Sequence, residues 1–312
     1  MPARFLFIVL FALLASVDHA DAATCTANVS NLDFSNVDTL ENGTAAAATI
    51  SINCENVGSS SLTVCGNFGA GSGGLSGNAR QMVSGADGLR FGLFADANHA
   101  RPWGHADNTA LGSPQRFSLP VTGTTASGTM TLYGLVPKQL NARTGSYTSQ
   151  FTGNDALFYY AEGDTLQCES PAGANSTTAS VVASAAVQAR CQIVADDINF
   201  GTVGIIASPI DATGQLHITC TPGVDYTIAL DGGSSNATNP EQRQMHSGAN
   251  TVTYGLYSNT QRTQGWGSGA DAVAGEGSGT ETRTVYGRVP VQQAVPGHYT
   301  DTVVVTITYA AK

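Results

Sequence analysis

Seven consecutive residues, Arg80-Gln81-Met82-Val83-Ser84-Gly85-Ala86, return with a single exchange as Arg243-Gln244-Met245-His246-Ser247-Gly248-Ala249, an offset of 163. The same offset carries Phe91-Gly92-Leu93-Phe94 onto Tyr254-Gly255-Leu256-Tyr257 and Trp103-Gly104 onto Trp266-Gly267. Further on, Tyr133-Gly134-Leu135-Val136-Pro137 returns as Tyr286-Gly287-Arg288-Val289-Pro290, and Gly145-Ser146-Tyr147-Thr148 as Gly297-His298-Tyr299-Thr300. An internal repeat constrains a chain more than any composition does, because both copies must solve the same folding problem. The cysteines keep the same register: Cys25 and Cys54 stand 29 positions apart, as do Cys191 and Cys220, and each pair opens a copy. The repeat therefore predicts disulfides Cys25–Cys54 and Cys191–Cys220, which leaves Cys65 to bond Cys168 inside the first copy.

Within each copy the apolar period is two, the mark of half-buried strands. Ala48-Thr49-Ile50-Ser51-Ile52 and Leu89-Arg90-Phe91-Gly92-Leu93 alternate in copy one, and Val303-Val304-Val305-Thr306-Ile307-Thr308-Tyr309 in copy two. No stretch of helical length carries a 3.6 period with caps. Two antiparallel β-sandwiches in tandem are the expected all-β architecture.

The chain opens with Arg4, an apolar run from Phe5 to Ala15, and the small-residue close Ala20-Asp21-Ala22. This reads as a cleavable secretory signal over residues 1–22, followed by a first domain over 23–176, a connecting strand over 177–190 and a second domain over 191–312. No later run is apolar for the roughly 20 residues that a membrane helix needs. Six cysteines, all beyond the signal, suit the oxidising compartment that export implies. Net charge is −10 with two lysines, so the basic footprint of a nucleic-acid binder is missing. No G-x-S-x-G, H-E-x-x-H or phosphate-cradling loop in a strand-turn-helix setting occurs, and no C-x-x-C pair offers zinc spacing. An enzyme, a metal site and a cofactor are not expected.

The copies differ at their ends. Tyr160 corresponds to Tyr309, which only three residues follow, whereas copy one runs on to Cys191 through Val181-Val182-Ala183-Ser184-Ala185-Ala186-Val187. Val181, Ala183, Ala185 and Val187 fall on one face and predict a strand that completes the first domain, although a Ser- and Ala-rich linker is the alternative. Copy two has no such strand. A sandwich short of an edge strand exposes an apolar groove and unpaired backbone groups, and β-augmentation by another chain is the physical remedy.

The early Cys followed by Leu32-Asp33-Phe34 or Ile198-Asn199-Phe200-Gly201, the second Cys, the Tyr-Gly-x-Val-Pro strand and the closing Gly297-His298-Tyr299-Thr300-Asp301-Thr302-Val303-Val304-Val305-Thr306-Ile307-Thr308-Tyr309 resemble the spore coat protein U domain family over essentially the whole exported chain. Members of that family include subunits of archaic chaperone–usher pili. The resemblance implies immunoglobulin-like sandwiches, the second lacking its last strand. It also implies partnership with a periplasmic chaperone, an outer-membrane usher and an adjacent pilin that donates a strand. Ile198, Phe200, Val303, Val305 and Ile307 are the expected acceptor groove. Only Ala23 and Thr24 precede Cys25 after the expected cleavage, so a donor segment is not expected and the resemblance points to a two-domain tip subunit, secreted through the periplasm to the cell surface. There it would attach to an abiotic or host surface and promote biofilm formation. A non-adhesive coat protein and a secreted carbohydrate-binding module are the competing readings.

For adhesion, Trp103 recurs as Trp266 and is better explained by the shared fold. His99, Arg101, His105 and Leu111, in the Asn98–Pro114 connection, and Leu166, beside Cys168, read as loop residues without a counterpart. They are the candidate adhesive tips, with ordinary solvated loops as the plain alternative.

Overall fold

The computed structural model describes residues 22–310. The expected signal, residues 1–22, lies outside them apart from Ala22. Among the described residues there is no α-helix, only strands and four single 3-10 turns.

Domain 1 is built from thirteen strands: β1 (Thr24–Val29), β2 (Leu32–Val37), β3 (Thr44–Glu55), β4 (Ser61–Phe68), β5 (Leu75–Ser76), β6 (Ala79–Ser84), β7 (Asp87–Phe94), β8 (Gln115–Thr122), β9 (Thr125–Val136), β10 (Gly145–Phe151), β11 (Ala156–Glu162), β12 (Asn175–Thr178) and β13 (Val181–Val187). One layer runs β1-β3-β9-β7-β6-β10-β13-β2 and the other β8-β4-β11-β12, with the β8–β9 hairpin passing between them. Side chains alternate in and out as strand geometry requires. In β3, Ala48, Ile50, Ile52 and Cys54 enter the core, where they meet Leu32, Phe34, Phe68, Phe91, Tyr147, Phe151 and Phe158.

Domain 2 has eight: β14 (Cys191–Ala195), β15 (Ile210–Cys220), β16 (Asp225–Leu230), β17 (Arg243–Ser247), β18 (Asn250–Tyr257), β19 (Val273–Glu276), β20 (Gly279–Val289) and β21 (Val305–Ala310). One layer is β14-β15-β20-β18-β17 and the other β19-β16-β21. In repeat order these stand for β1, β3, β4, β6, β7, β8, β9 and β11. The larger strands of domain 1 without an equivalent are β2, β10, β12 and β13, and three of those, β10, β13 and β2, are neighbours in one sheet.

All six cysteines pair, as Cys25–Cys54, Cys65–Cys168 and Cys191–Cys220. The first and third cross-link a strand pair at the same place in each copy. The second ties the 163–174 connection over the outer face of β4, so that β4 is buried on both sides whereas its counterpart β16 alternates.

The repeated Arg-Gln-Met is a buried structural device. Arg80 donates to the carbonyls of Gly69, Phe68 and Trp103 at 2.6, 2.6 and 2.9 Å, and Trp103 Nε1 donates to Gly66 O at 2.8 Å. Arg243 repeats this with Asp231, Pro240, Leu230 and Trp266, and Trp266 Nε1 with Ile228 O. Burial lowers the Arg80 guanidinium to about 9, with the more distant Asp155 carboxylate acting against it, so at neutral pH it remains a cation held by carbonyl dipoles.

Candidate strand-acceptor groove

In domain 1, β13 is inserted between β10 and β2. It runs antiparallel to β10, with Phe151 opposite Val181, Ser149 opposite Ala183, Tyr147 opposite Ala185 and Gly145 opposite Val187. It runs parallel to β2, with Ala183 opposite Leu32 and Val187 opposite Val37. Val181, Ala183, Ala185 and Val187 all face the core and are buried, while the alternate residues are half-exposed. Hydrogen bonds from Val182 N and Ser184 Oγ to the Asn31 and Asp33 side chains secure its outer face. Before reaching this slot the chain pairs with the other sheet as β12 against β11, so one connection closes both layers.

Among the described residues nothing fills the same slot in domain 2. Residues 198–203 follow the course of β2, down to the local turn: Gly201 N donates to Asn199 Oδ1 at 2.8 Å as Ser35 N donates to Asp33 Oδ1 at 2.9 Å, each with the backbone in the left-handed region. Residues 297–304 follow β10, held by the reciprocal His246–Thr300 backbone pair at 2.9 and 3.1 Å, the counterpart of Val83–Thr148. Neither segment is a strand, because among the described residues nothing lies between them to complete the ladder. Strand character in β2 and β10 thus depends on β13.

Side-chain burial follows. Leu32, Phe34, Met82, Tyr147 and Phe151 are buried, whereas Ile198, Phe200, Met245, Tyr299 and Val303 at the same repeat positions are only partly covered. Val305 and Ile307 belong to β21 on the facing sheet; their counterparts Ala156 and Phe158 are fully buried, while they remain half-exposed. Gly287 makes room for the wall, since a Cβ there would stand 2.8 Å from the Phe200 ring, as one on Gly134 would stand 2.6 Å from Phe34. One residue has no precedent in domain 1. Asp301 replaces Ser149 and accepts from Tyr254 Oη at 2.6 Å, Ser234 Oγ at 2.5 Å and the Ser234 and Thr302 amides, both at 2.8 Å. Burial alone would raise its pKa, but the Ser234 and Tyr254 hydrogen bonds outweigh that and hold it below the usual carboxylate range.

The distal loops depart from the sequence reading. Leu111 and Leu166 are buried, Leu166 against the Cys65–Cys168 bridge, so neither offers apolar surface. His105 is buried as well, its Nδ1 accepting from Asp107 N at 3.0 Å. His99 stacks edge-on against Phe94, and only Arg101 of the five is well exposed, with its Nη2 on Gln115 Oε1 at 2.7 Å. Nor are His99 and Arg101 without counterparts. Asp96 caps the Ala100 and Arg101 amides as Asn259 caps those of Thr263 and Gln264, and His99 and Arg262 share a φ of 56°. What is particular to domain 1 is the length of the His105–Gly112 connection, where domain 2 has only residues 268–270; its exposed residues, Asp107, Thr109 and Ala110, are polar or small. Trp103, like Trp266, is fully buried. Among the described residues, no group of three or more His, Cys, Asp or Glu side chains is placed to hold a metal, and no helix is long and apolar enough to cross a membrane.

A family model described as Spore Coat Protein U domain matches residues 11–154 and 177–306. The chain belongs to the Spore Coat Protein U domain family. A search of curated proteins returned no match. Among solved structures the chain is similar to the CsuC–CsuE chaperone–tip adhesion subunit pre-assembly complex from archaic chaperone-usher Csu pili of Acinetobacter baumannii, at 16% identity and TM-score 0.51, over 92% of this chain and 99% of that one. At that identity the likeness is one of fold. The CupB6 tip adhesin from Pseudomonas aeruginosa matches at 11% identity and TM-score 0.32, over 92% and 95% of the two chains. Membership of the Spore Coat Protein U family and this fold agree with two antiparallel sandwiches built on one repeated plan.

Proposed function

We propose that this chain is a subunit of a surface fibre assembled by the chaperone–usher route, that it stands at the fibre tip, and that domain 2 is its attachment point. The observation that carries the reading is the contrast between the two copies: domain 1 has its slot filled by the chain's own β13, and no described residue fills the matching slot in domain 2. An open groove of this kind requires a partner strand, first from a periplasmic chaperone and then, at the outer-membrane usher, from the neighbouring subunit. With its own completing strand engaged in cis, the chain presents one acceptor site and a self-sufficient domain beyond it. That domain then faces the outside, where it meets an abiotic or host surface and supports biofilm formation. Contact falls to the polar His105–Gly112 connection and its surroundings rather than to apolar loop tips, since Leu111 and Leu166 are buried.

The test is calorimetry of the full chain with a peptide of residues Thr178–Ala189. Domain 1 already holds this sequence, so the expected result is an upward shift confined to the domain 2 transition and growing with peptide concentration. A domain 2 transition that ignores the peptide, and likewise ignores longer alternating apolar peptides, overturns the reading.

A further inference from the structure

At one end of domain 2 four apolar side chains stand in solvent: Val203 at 50%, Ile205 at 90%, Val291 at 58% and Val295 at 56% exposure. Their repeat counterparts, Val37, Thr39, Lys138 and Arg143, lie at the end of domain 1 that meets domain 2. There Arg190, whose backbone is tied to Thr221, reaches back to the carboxylates of Asp38 and Glu41. A Cβ added to Gly223 would come within 2.9 Å of Arg143 Nη1, and one on Gly279 within 3.3 Å of Leu140 O. At this face of domain 1 the body of the domain that follows thus comes against Asp38, Glu41, Leu140 and Arg143 without covering it.

The four positions separate into two kinds. Val37 and Thr39 are buried, Val37 opposite Val187 of β13 and Thr39 through its carbonyl, which accepts from Gln139 N. A strand entering domain 2 therefore accounts for Val203, whose counterpart Val37 lies opposite β13. Lys138 and Arg143 stay exposed although β13 is in place. The same strand would leave Val291 and Val295 in water.

We propose that Val291 and Val295 are a second contact site, for the globular body of the subunit whose strand fills domain 2. This rests on the strand-acceptor reading above. The chemistry of the partner follows from the exchanges between the copies. At this end domain 1 carries Asp38, Glu41, Lys138 and Arg143, of which the two carboxylates pair with Arg190; domain 2 has Gly204, Ala207, Val291 and Val295 at the same positions. The charges that pair with Arg190 inside the chain are gone, so the incoming face is apolar and not basic. The distinction is physically sensible. Inside the chain the two bodies are held together covalently and an ion pair suffices to orient them. Between chains the body contact must add affinity of its own, and apolar burial does so where exposed ion pairs add little.

The experiment is the full-length double variant Val291→Lys, Val295→Arg, which installs the residues domain 1 carries at these exposed sites and leaves the groove intact. Two readouts are compared with the wild type: the calorimetric shift produced by the Thr178–Ala189 peptide, and release of the chain from fibres sheared off producing cells, followed through a urea series. The expected result is an unchanged peptide shift with release at least tenfold faster at a given urea concentration. Release at the wild-type rate overturns the second contact. A peptide shift lost along with fibre retention also overturns it, because the two valines would then belong to the strand site itself. Absence of wild-type chain from the fibres, together with indifference to peptide, removes the strand-acceptor reading and this proposal with it.

Discussion

Phe34 and Phe200 occupy the same repeat position behind the same glycine of a facing strand, Gly134 and Gly287, yet Phe34 is buried and Phe200 is half-exposed. The residue type, the local turn and the supporting strand are common to both. What differs is the strand alongside. Phe34→Ala should cost domain 1 about 3–5 kcal/mol, the usual range for a buried phenylalanine. Phe200→Ala should cost domain 2 less than half of that in the free chain, and its cost should rise toward the Phe34 value in the presence of saturating donor peptide. Urea unfolding with and without peptide measures both; equal costs for the two variants without peptide would show that the groove is already closed.

Ala185 faces Tyr147 across the β10–β13 pair, inside the core. Ala185→Asp places a carboxylate there with no cation to meet it, a change worth several kcal/mol. We expect the domain 1 transition to fall by at least 3 kcal/mol while the domain 2 transition stays put. Ala186→Asp, on the outer half-exposed face of the same strand and opposite Asn36, should cost less than about 1 kcal/mol, and the difference between neighbours is the signature of alternating burial.

Much of this was legible in the sequence because it is written in periodicity and repetition. The offset of 163 aligns the copies, the matched Cys spacing places two bridges, and the alternation of Val181, Ala183, Ala185 and Val187 marks one apolar face. The partners of that face are another matter, since a parallel pairing with β2 joins residues about 150 positions apart and leaves no local trace. Loops were less legible still. Leu111 and Leu166 look exposed because they sit in polar connections, but they turn inward, Leu166 onto a disulfide and Leu111 within a connection anchored by Asn67 Oδ1 on Ala106 N. The correspondence of His99 with Arg262 and of Asp96 with Asn259 is hidden by the exchange of side chains that serve one backbone turn. Arg80 and Arg243 mislead in the opposite direction: a cation in an alternating strand reads as solvent-facing, while carbonyls from three or four loop ends collect around it.

The Cys65–Cys168 bridge closes a span of 103 residues and belongs to domain 1 alone. Replacing both cysteines with serine should lower domain 1 stability by about 2–4 kcal/mol. The larger consequence is local. Leu166 and the 163–174 connection lose their tie to β4, and limited proteolysis should cut there in the variant while sparing the wild type. A variant that resists protease as well as the parent would mean that the Thr63 Oγ1 bond to Gly163 O and the Arg116 bond to Asp164 O hold the loop unaided.

Asp301 gives domain 2 a sensitivity to acid that Ser149 cannot give domain 1. Its folded-state pKa lies below the usual value, so it favours the folded state fully at pH above about 3.9, the unfolded reference, and that contribution disappears as pH falls through the folded value. Protonation weakens the bonds from Ser234 and Tyr254 that fasten residues 297–304, the wall of the groove, to the rest of the domain. Between pH 6 and pH 3 the domain 2 transition should therefore weaken, and Asp301→Asn should reduce that dependence while lowering stability at pH 6, because an amide is a poorer acceptor for the Tyr254 hydroxyl and the Ser234 amide. An Asp301→Asn variant with an undiminished acid response would assign the effect to other carboxylates and leave Asp301 as a packing residue of the groove wall.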